Sequence, residues 1–369
     1  MKIYINPIFE QAYLQNKISN ILNTLNIEII SDIDEEYDNA IMIPVDECVV
    51  FSANFKKYNK PSIRFDISDK FILNNLLENN NLPYIPTIMP LTVEDVHEFF
   101  NVHGSFIAKP RLGSGGKGRY DFHYKIYYSV DEFLSDIELI PNFWDIQNVT
   151  EYRFNKIISL QTIIQKNVLD DNNETTKIRL KGLVNPTYDF NIRLIPEHKV
   201  IKNQDIGPGF KRNSSYTATD PNQNCDDHPF VIMVKQFLTN VGFNSSFFDC
   251  EAVKIGDDYY INDFSIRFPK GSYCVWDDKP RLESALKFIF GLSETHEYPI
   301  DYWTIHHEVI VPCGITEEIY KNLESDNARK YHTISESEKH FTMMIRGDTE
   351  QECIDEITRI ESYISTLST

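Results

Sequence analysis

A glycine-rich stretch bordered by basic residues is the first segment of this sequence whose residue types could do chemistry. It lies within residues 108–122, AKPRLGSGGKGRYDF. Small residues fill five of the six positions from 113 to 118, namely Gly113, Ser114, Gly115, Gly116 and Gly118. Basic side chains stand around them at Lys109, Arg111, Lys117 and Arg119. Backbone N–H groups of such a turn, next to fixed cations, suit a polyphosphate. The alternative is a flexible hairpin turn without a ligand.

Two well-known phosphate loops do not fit this context. Gly113, Gly115 and Gly118 match the Gly-x-Gly-x-x-Gly spacing of dinucleotide-binding loops, but there the glycines open a helix. The residues after Gly118, RYDFHYKIYYSV, are aromatic and β-branched and predict a strand. A Walker loop needs Gly-Lys-Ser/Thr, whereas Gly118 follows Gly116-Lys117. We therefore expect a hairpin of two strands whose glycine loop closes over a nucleotide, provided that a metal site exists elsewhere.

A pair of acidic residues could supply that metal site. Residues 250–267, CEAVKIGDDYYINDFSIR, predict a hairpin that turns at positions 256–258. With the turn centred on Asp257, Glu251 and Asp263 lie directly opposite each other, where like charges destabilise a sheet. A hard divalent cation with oxygen ligands would compensate that repulsion.

Two further residues share the face of the acid pair by the period of two. They are Ser265 and Arg267, and an arginine beside a cation suits a transferring phosphoryl group. Two alternatives stay open for this segment. One is a hairpin in a different register, and the other is a solvent-facing edge where the two acids lie close together without a bound ion.

The elements that must position these residues alternate between strands and helices. The first 62 residues predict a small α/β unit from KIYI, AYLQNKISNILNTL, IEII, AIMIPV and CVVFS. A helix follows the N-cap candidate Ser68 in SDKFILNNLLENNNLPYIPT. Strands are predicted at GSFIAKP and SLQTIIQKNV, and a helix capped by Ser129 at SVDEFLSDI.

The second half of the chain continues the same alternation. TYDFNIRLI places Asp189, Asn191 and Arg193 on one face of a strand. Residues 203–229 are rich in Gly, Pro and polar types and are too long for an ordinary connection, so we expect a functional loop there. PFVIMVKQFLTNVG predicts a helix, and the tail predicts a strand and then a helix in HFTMMIRGDTEQECIDEITRIESYI.

The composition of the chain limits its partners. Lys and Arg number 36 against 55 Asp and Glu in 369 residues, a formal net charge of −19. Binding a nucleic-acid backbone needs a basic excess, so we expect no nucleic-acid partner. The six cysteines form no Cys-x-x-Cys pair, and we expect free thiols. No apolar run approaches the roughly 20 residues of a membrane span, so we expect a cytoplasmic protein without a membrane partner.

Taken together, these segments resemble the ATP-grasp superfamily. SDKFILNNLLENNNLPYIPT is similar to the family's Asp-Lys segment, and FIAKPRLGSGGKGRY is similar to its lysine strand and lid loop. The resemblance implies that Lys70 and Lys109 contact ATP phosphates. IIQKNV resembles the hinge that receives adenine, which implies a pocket lined by Gln165, Lys166 and Val168.

The segment DCEAVKIGDDYYINDFSIR resembles the family's acid followed, twelve residues on, by Glu-x-Asn-x-Arg. The resemblance implies that Glu251, Asp263 and Ser265 bind one or two Mg²⁺ ions and that Arg267 occupies the arginine position. The sequence departs from the family's pattern at three positions. Asp263 stands in place of a glutamate, Ser265 in place of an asparagine and Gln165 in place of a glutamate. The amide oxygen of Gln165 can still accept a hydrogen bond from the adenine amino group.

NIRLI and FKRNSS are similar to elements of glutathione-synthetase-like and ribosomal-protein glutamate ligases. This likeness implies that Arg193 and Arg212 lie near phosphate or substrate. The fold implied is α/β (α+β), with three units. They are an N-terminal α/β unit (1–62), an ATP-grasp domain (63–300, with a lid at 91–167 and a metal-site part at 168–300) and a C-terminal α+β unit (301–369).

The activity implied is an ATP- and Mg²⁺-dependent ligase. ATP phosphorylates a carboxylate, and an amine or thiol displaces phosphate from the acylphosphate. Small-molecule carboxylate and amine substrates are the implied partners, and the tail after 301 either closes the site or forms a homodimer. A small-molecule kinase and a non-catalytic nucleotide-binding module are the alternatives.

Overall fold

The fold is that of a computed structural model, which describes the chain in the following ranges. They are 2–5, 12–30, 40–43, 65–112, 122–147, 161–168, 176–195, 199–205, 211–219, 225–266, 279–296, 303–311, 314, 316–330 and 340–367. The expected strand CVVFS, the expected phosphate loop at 113–118 and Arg267 lie outside these ranges.

The described residues contain nine α-helices and sixteen strands. The helices are α1 Ala12–Thr24, α2 Lys70–Asn79, α3 Val93–His103, α4 Val130–Glu138, α5 Phe143–Gln147, α6 Pro229–Asn240, α7 Lys279–Ile289, α8 Glu317–Leu323 and α9 Glu350–Thr366. The strands are β1 Lys2–Ile5, β2 Glu28–Ile30, β3 Ala40–Ile43, β4 Thr87–Ile88, β5 Phe106–Pro110, β6 Ile126–Tyr127, β7 Thr162–Lys166, β8 Thr176–Val184, β9 Phe190–Ile195, β10 Lys199–Asp205, β11 Lys211–Thr219, β12 Ser246–Ile255, β13 Asp258–Ser265, β14 Trp303–Ile310, β15 Ala328–Lys330 and β16 His340–Gly347.

The described strands form four sheets. The N-terminal sheet is parallel, with the order β2-β1-β3. We call the sheet β4-β7-β5-β6, which carries Lys109, the lysine sheet, and the sheet β13-β12-β8-β9, which carries Glu251 and Asp263, the acid sheet. The C-terminal sheet has the order β10-β11-β14-β16-β15. The last three are antiparallel, so the expected mixed α/β (α+β) class is confirmed.

The acid sheet buries one face against α6. Alternate residues of its strands, such as Leu180, Phe248 and Phe264, pack with the buried side of that helix. Phe248 and Phe264 stack with ring centroids 5.8 Å apart. Gly182 makes room for this stack, because a Cβ there would stand 2.4 Å from the ring of Phe248. The sequence alternation in β9 is confirmed, since Phe190, Ile192 and Leu194 join this core.

The opposite face of the acid sheet changes character along its length. Near one end, Leu183 and Phe247 pack with buried residues of α1 and α7. Further along β12, the same face carries Asp249 and Glu251, because side chains alternate with a period of two. Two helices therefore anchor the apolar end of this face, and its polar end carries the acids.

The lysine sheet is stiffened by aromatic packing. Phe106 of β5 stacks on Tyr127 at a centroid distance of 5.4 Å and meets Phe133 of α4 edge-on at the same distance. The predicted N-cap of α4 is confirmed, since Ser129 accepts a hydrogen bond from the Glu132 N–H. Strand β6 is only two residues long, although RYDFHYKIYYSV predicted a longer strand. A turn precedes it, in which Tyr124 adopts φ +68.

Two sequence-based expectations about the boundaries of helices and loops are wrong. The N-cap of α2 is Asp69 and not Ser68, because the Asp69 carboxylate accepts from the N–H groups of Phe71 and Ile72. The second concerns the loop expected at 203–229. Strands β10 and β11 occupy much of it, and Tyr216 of β11 pairs with His307 of β14. The C-terminal sheet thus joins strands from both sides of position 300.

Candidate functional site

Lys70 stands at the start of α2 and points toward the acid sheet. Its side chain is 6% exposed, and its Nζ lies 3.3 Å from Oδ1 of Asp263. The Asp69 cap fixes the first turn of the helix that carries Lys70. A buried ammonium group needs a partner to offset its lost hydration, and Asp263 is one such partner. Lys70, a predicted phosphate-binding residue at the start of α2, therefore contacts Asp263, a predicted metal ligand on β13.

Arg111 connects the end of the lysine strand to the same helix. Its Nε donates to Oδ2 of Asp69 at 2.7 Å, and Nη1 donates to Oε1 of Gln161 at 3.2 Å. The backbone oxygen of Arg111 accepts from the N–H of Lys70 at 3.2 Å. Burial raises the pKa of Asp69, and the adjacent Arg111 guanidinium opposes that rise. Arg111 thus ties β5, which carries Lys109, to the residue before Lys70.

Lys109 projects from β5 toward β7. Its Nζ donates to Oε1 of Gln165 at 2.5 Å, and the Gln165 amide nitrogen donates to Oγ1 of Thr87 at 3.1 Å. Both Lys109 and Gln165 are buried, at 9% and 2% exposure. The structure therefore brings together the predicted phosphate lysine and the predicted adenine-pocket residue. The amide orients the ammonium group without neutralising it.

The end of the lysine sheet also holds a buried histidine. Nε2 of His123 lies 3.0 Å from Oγ1 of Thr162, the residue that pairs with Pro110 in the sheet. Burial lowers the pKa of His123 to about 4. Gln147 of α5 completes this corner by exchanging hydrogen bonds with the backbone of Thr162 at 2.9 and 3.1 Å.

The turn between β12 and β13 differs from its prediction. Ile255 pairs with Asp258, so the turn contains only the two residues Gly256 and Asp257. Gly256 has φ +61, a left-handed conformation that glycine adopts without a Cβ clash. The expectation that the turn centres on Asp257 is wrong.

The predicted pairing of the two acids is nevertheless confirmed. Glu251 pairs with Asp263, while Ala252 pairs with Ile261. Asn262 is the extra residue of a β-bulge, and without it a two-residue turn would place Asn262 opposite Glu251. The bulge thus shifts the register by one residue and brings both acids to the same face.

Two basic residues that the sequence analysis did not single out lie next to the acids. Arg179 of β8 pairs with Glu251, and Lys181 pairs with Asp249. Nε of Arg179 donates to Oδ1 of Asp249 at 2.6 Å, and its Nη2 contacts Oδ2 of the same carboxylate. Nη1 of Arg179 lies 3.2 Å from Oε1 of Glu251. The alternation in KIRLKG would have placed both cations on one face, but their acidic partners depend on the pairing of distant strands.

Three other predicted site residues lie at or just beyond the ends of β13 and β7. Ser265 ends β13, is buried and pairs with Asp249. Lys166 ends β7, where its N–H donates to the oxygen of Pro86 at 2.9 Å, and Val168 follows at intermediate burial.

The two remaining arginines fall in different sheets. The backbone of β9 places Arg193 opposite Lys181 in the acid sheet. Arg212 lies on β11 of the C-terminal sheet, opposite Gln204. Strands β9 and β11, which carry these arginines, contact each other.

The acid pair fits a magnesium ion that arrives with phosphates. Glu251 and Asp263 offer carboxylate oxygens from opposite strands, and their side chains are 46% and 31% exposed. Mg²⁺ binds through one or two carboxylates and substrate phosphates more often than in an all-protein cage. The described residues contain no group of three or more His, Cys, Asp or Glu that could hold a metal ion. Nor does any described helix combine the length and apolarity that crossing a membrane requires.

This architecture is the ATP-grasp fold that the motifs predicted. N5-carboxyaminoimidazole ribonucleotide synthetase from Thermus thermophilus has a similar structure, with a TM-score of 0.63, 13% identity and 98% of each chain covered. Carboxyaminoimidazole ribonucleotide synthase from Aspergillus clavatus, complexed with ATP, gives 0.63, 11% identity and 99% and 98% coverage. An L-amino acid ligase from Bacillus licheniformis gives 0.56, 11% identity and 98% and 97% coverage. No protein-family model and no curated protein sequence matches the chain.

Proposed function

We propose that this protein is an ATP- and Mg²⁺-dependent ligase that activates a small-molecule carboxylate as an acylphosphate for attack by an amine. The ATP-grasp fold supports this proposal, and two of the three similar structures described above carry the names of synthetases or ligases. The observation that carries it is the convergence of a buried lysine on an acid pair. Lys70 Nζ lies 3.3 Å from Asp263, which stands opposite Glu251.

Each side chain has a physical task in this proposal. Lys70 and Lys109 bind phosphates, since fixed cations lower the energy of charge that builds up during phosphoryl transfer. The loop at 113–118 covers the nucleotide and excludes water, which would hydrolyse an acylphosphate. Gln165, with Lys166 and Val168, holds the adenine.

The remaining groups act at the other end of the nucleotide. Glu251 and Asp263, with Ser265 beside them, would hold Mg²⁺, which supplies positive charge at the transferring phosphate. Arg267 orients the substrate carboxylate, with Arg193 or Arg212 as the second cation. Positioning of the reactants and charge neutralisation then account for catalysis without a covalent enzyme intermediate.

The test is ADP release from Mg·ATP with a panel of carboxylates, bicarbonate included, each combined with a panel of amines. We expect one pair to give ADP, phosphate and a condensed product that mass spectrometry identifies. Lys109→Ala and Asp263→Asn should each abolish the carboxylate-dependent ADP release. Retained turnover in both purified, folded variants would overturn the assignment.

A kinase on the same fold differs in its product. Hydroxylamine separates the two reactions, because it attacks an acylphosphate to give a hydroxamate and phosphate. A ligase therefore forms hydroxamate from its carboxylate even when the natural amine is absent. A kinase whose phosphorylated product is an ordinary phosphate ester forms none.

A non-catalytic nucleotide-binding module is the second candidate. The observation that favours it is the pairing of both acids with protein cations, Glu251 with Arg179 and Asp263 with Lys70. Binding of ATP without ADP formation against the whole panel would support it.

A further inference from the structure

Both carboxylates of the proposed metal site already have a protein cation beside them. Asp263 is 3.3 Å from Nζ of Lys70, and Glu251 is 3.2 Å from Nη1 of Arg179. A divalent ion that approached these carboxylates would meet two positive charges close to its own position. At such short distances the repulsion is large even in a partly solvated site.

Arg179 is held in this place by Asp249. Two nitrogens of the guanidinium, Nε and Nη2, contact the two carboxylate oxygens of Asp249. This bidentate contact fixes the plane of the guanidinium and turns its third nitrogen, Nη1, toward Glu251. The Asp249 side chain is only 9% exposed, so its charge is shielded little by water.

Lys70 has a different relation to its acid. It comes from α2, outside the acid sheet, and it is one of the two lysines proposed to bind phosphate. A bound nucleotide would offer its phosphates to Lys70 and to the exposed part of the Arg179 guanidinium, whose side chain is 29% exposed. Phosphate oxygens would then replace Asp263 and Glu251 as partners of these cations.

We propose that Arg179 is a positioning residue which, together with Lys70, occupies the two acids until a nucleotide binds, so that a divalent cation enters this site only with the nucleotide. The inference rests on the proposed nucleotide and metal site. It adds an order of binding and assigns a role to Arg179 and to its anchor Asp249. Binding linkage requires the effect to be reciprocal, so the metal must also tighten nucleotide binding.

The test measures Mn²⁺ binding to the full chain by electron paramagnetic resonance, with and without a non-hydrolysable ATP analogue. Mn²⁺ bound by the analogue in solution is subtracted. Wild type should bind Mn²⁺ weakly alone and much more tightly with the analogue. Arg179→Met removes the charge and keeps the aliphatic stem, so it should bind Mn²⁺ alone on the order of tenfold more tightly.

A second variant tests whether the gain in Mn²⁺ binding comes from the site itself or from the changed net charge. It also avoids leaving a buried carboxylate unpaired, which could unfold the protein. Arg179→Met leaves the Asp249 carboxylate without its guanidinium, which destabilises a protein when the charge is buried. The double variant Arg179→Met with Asp249→Asn removes both charges and leaves the net charge unchanged. It should also bind Mn²⁺ alone more tightly than wild type.

The control is Lys235→Met. Lys235 lies on α6, at the other face of the acid sheet, and pairs with Asp226 at 2.7 Å. This variant loses the same formal charge as Arg179→Met but should bind Mn²⁺ as wild type does.

Three results would overturn the inference. They are tight Mn²⁺ binding by wild type alone, no gain in the double variant, or an equal gain in Lys235→Met. Failure of the proposed function looks different. A protein that forms no ADP with any substrate pair would still show the Mn²⁺ gain if Arg179 guards the acids. A working ligase whose variants show no gain keeps its function and loses only the binding order.

Discussion

The lysine sheet and the acid sheet hold their functional cations in opposite ways. In the lysine sheet, Lys109 donates to the neutral amide of Gln165, which is itself fixed by Thr87. In the acid sheet, Arg179 contacts two carboxylates, and Lys70 reaches a third from α2. In the lysine sheet an amide dipole thus orients Lys109, whereas in the acid sheet the cations form ion pairs with carboxylates.

This difference indicates separate duties for the two sheets. The hydrogen bond from Lys109 to the neutral amide of Gln165 leaves the ammonium charge uncompensated by that partner. An ion-paired group must exchange its partner first, which makes binding at the acid sheet conditional on what arrives. We therefore expect the lysine sheet to govern the binding and transfer of phosphate and the acid sheet to govern metal dependence.

Removing the lysine of the lysine sheet should have the largest effect. Lys109→Met should lower ADP formation by about 10²-fold or more, since the lost cation stabilises the transferring phosphate. The measurement is the initial rate of ADP release at saturating Mg·ATP. Lys125→Met is the control, because Lys125 in the same part of the chain pairs with Glu132 and Asp136 and should leave the rate unchanged. Equal rates in both variants would contradict the account.

Gly182→Ala should disturb the acid sheet without touching a charge. The new Cβ would stand 2.4 Å from the ring of Phe248, so the stacked core must shift. We expect a loss of about 3 kcal/mol in the free energy of unfolding. Urea denaturation followed by far-UV circular dichroism measures it, and an unchanged midpoint would show that the core is looser than the structure has it.

Lowering the pH should destabilise the folded protein, because His123 at the end of the lysine sheet is buried in its neutral form. Burial lowers the pKa of His123 to about 4, whereas the unfolded chain binds the proton near the ordinary value of 6.5. The unfolded state therefore holds more protons between these values, and stability falls as the pH drops through that window. At pH 5 the loss due to His123 is about 2 kcal/mol.

The variant His123→Gln tests this assignment. Glutamine can still hydrogen-bond Thr162 but does not titrate in this range, so the stability difference between pH 7 and pH 5 should shrink by that amount. The measurement is urea denaturation of both proteins at the two pH values. Equal pH dependence in the two proteins would mean that another group is responsible.

Gly256→Ala should have the smallest effect. The turn between β12 and β13 needs φ +61 at this position, which costs an alanine about 1 kcal/mol. Among the described residues, apart from its two chain neighbours, no atom lies within 4 Å of the new Cβ, so the cost is conformational and not steric. Thermal unfolding should show a shift much smaller than that of Gly182→Ala, and a shift of equal size would contradict this separation.

Local sequence patterns predicted much of the fold. The strand-and-helix alternation of the N-terminal unit, the helix α6 and the tail were all predicted, because each carries its own hydrophobic period. The sequence also predicted that Glu251 and Asp263 share a face, although it placed the centre of the turn at the wrong residue. A two-residue turn and the bulge at Asn262 gave the same pairing that a turn centred on Asp257 would have given.

The partners of the acids could not be predicted in the same way. Arg179 meets Asp249 across 70 positions of sequence, and nothing local to either residue specifies that pairing. The link from Arg111 to Asp69 spans 42 positions and depends on how α2 packs beside β5. Strand β11 and the end of β10 were expected to form a loop because their sequence is polar, and the pairing of β11 with β14 joins residues about ninety positions apart. Tertiary pairing, and not residue type, decided each of these cases.

The central claim is that the γ-phosphate of ATP passes to a carboxylate. Once the substrate is known, that carboxylate is labelled with ¹⁸O and the phosphate released in a complete reaction is analysed by mass spectrometry. An acylphosphate that is attacked at its carbon leaves one labelled oxygen with the phosphate, so we predict one ¹⁸O in each phosphate released. Unlabelled phosphate would contradict the account, and so would a stable phosphorylated product with no phosphate released, which would assign the protein as a kinase.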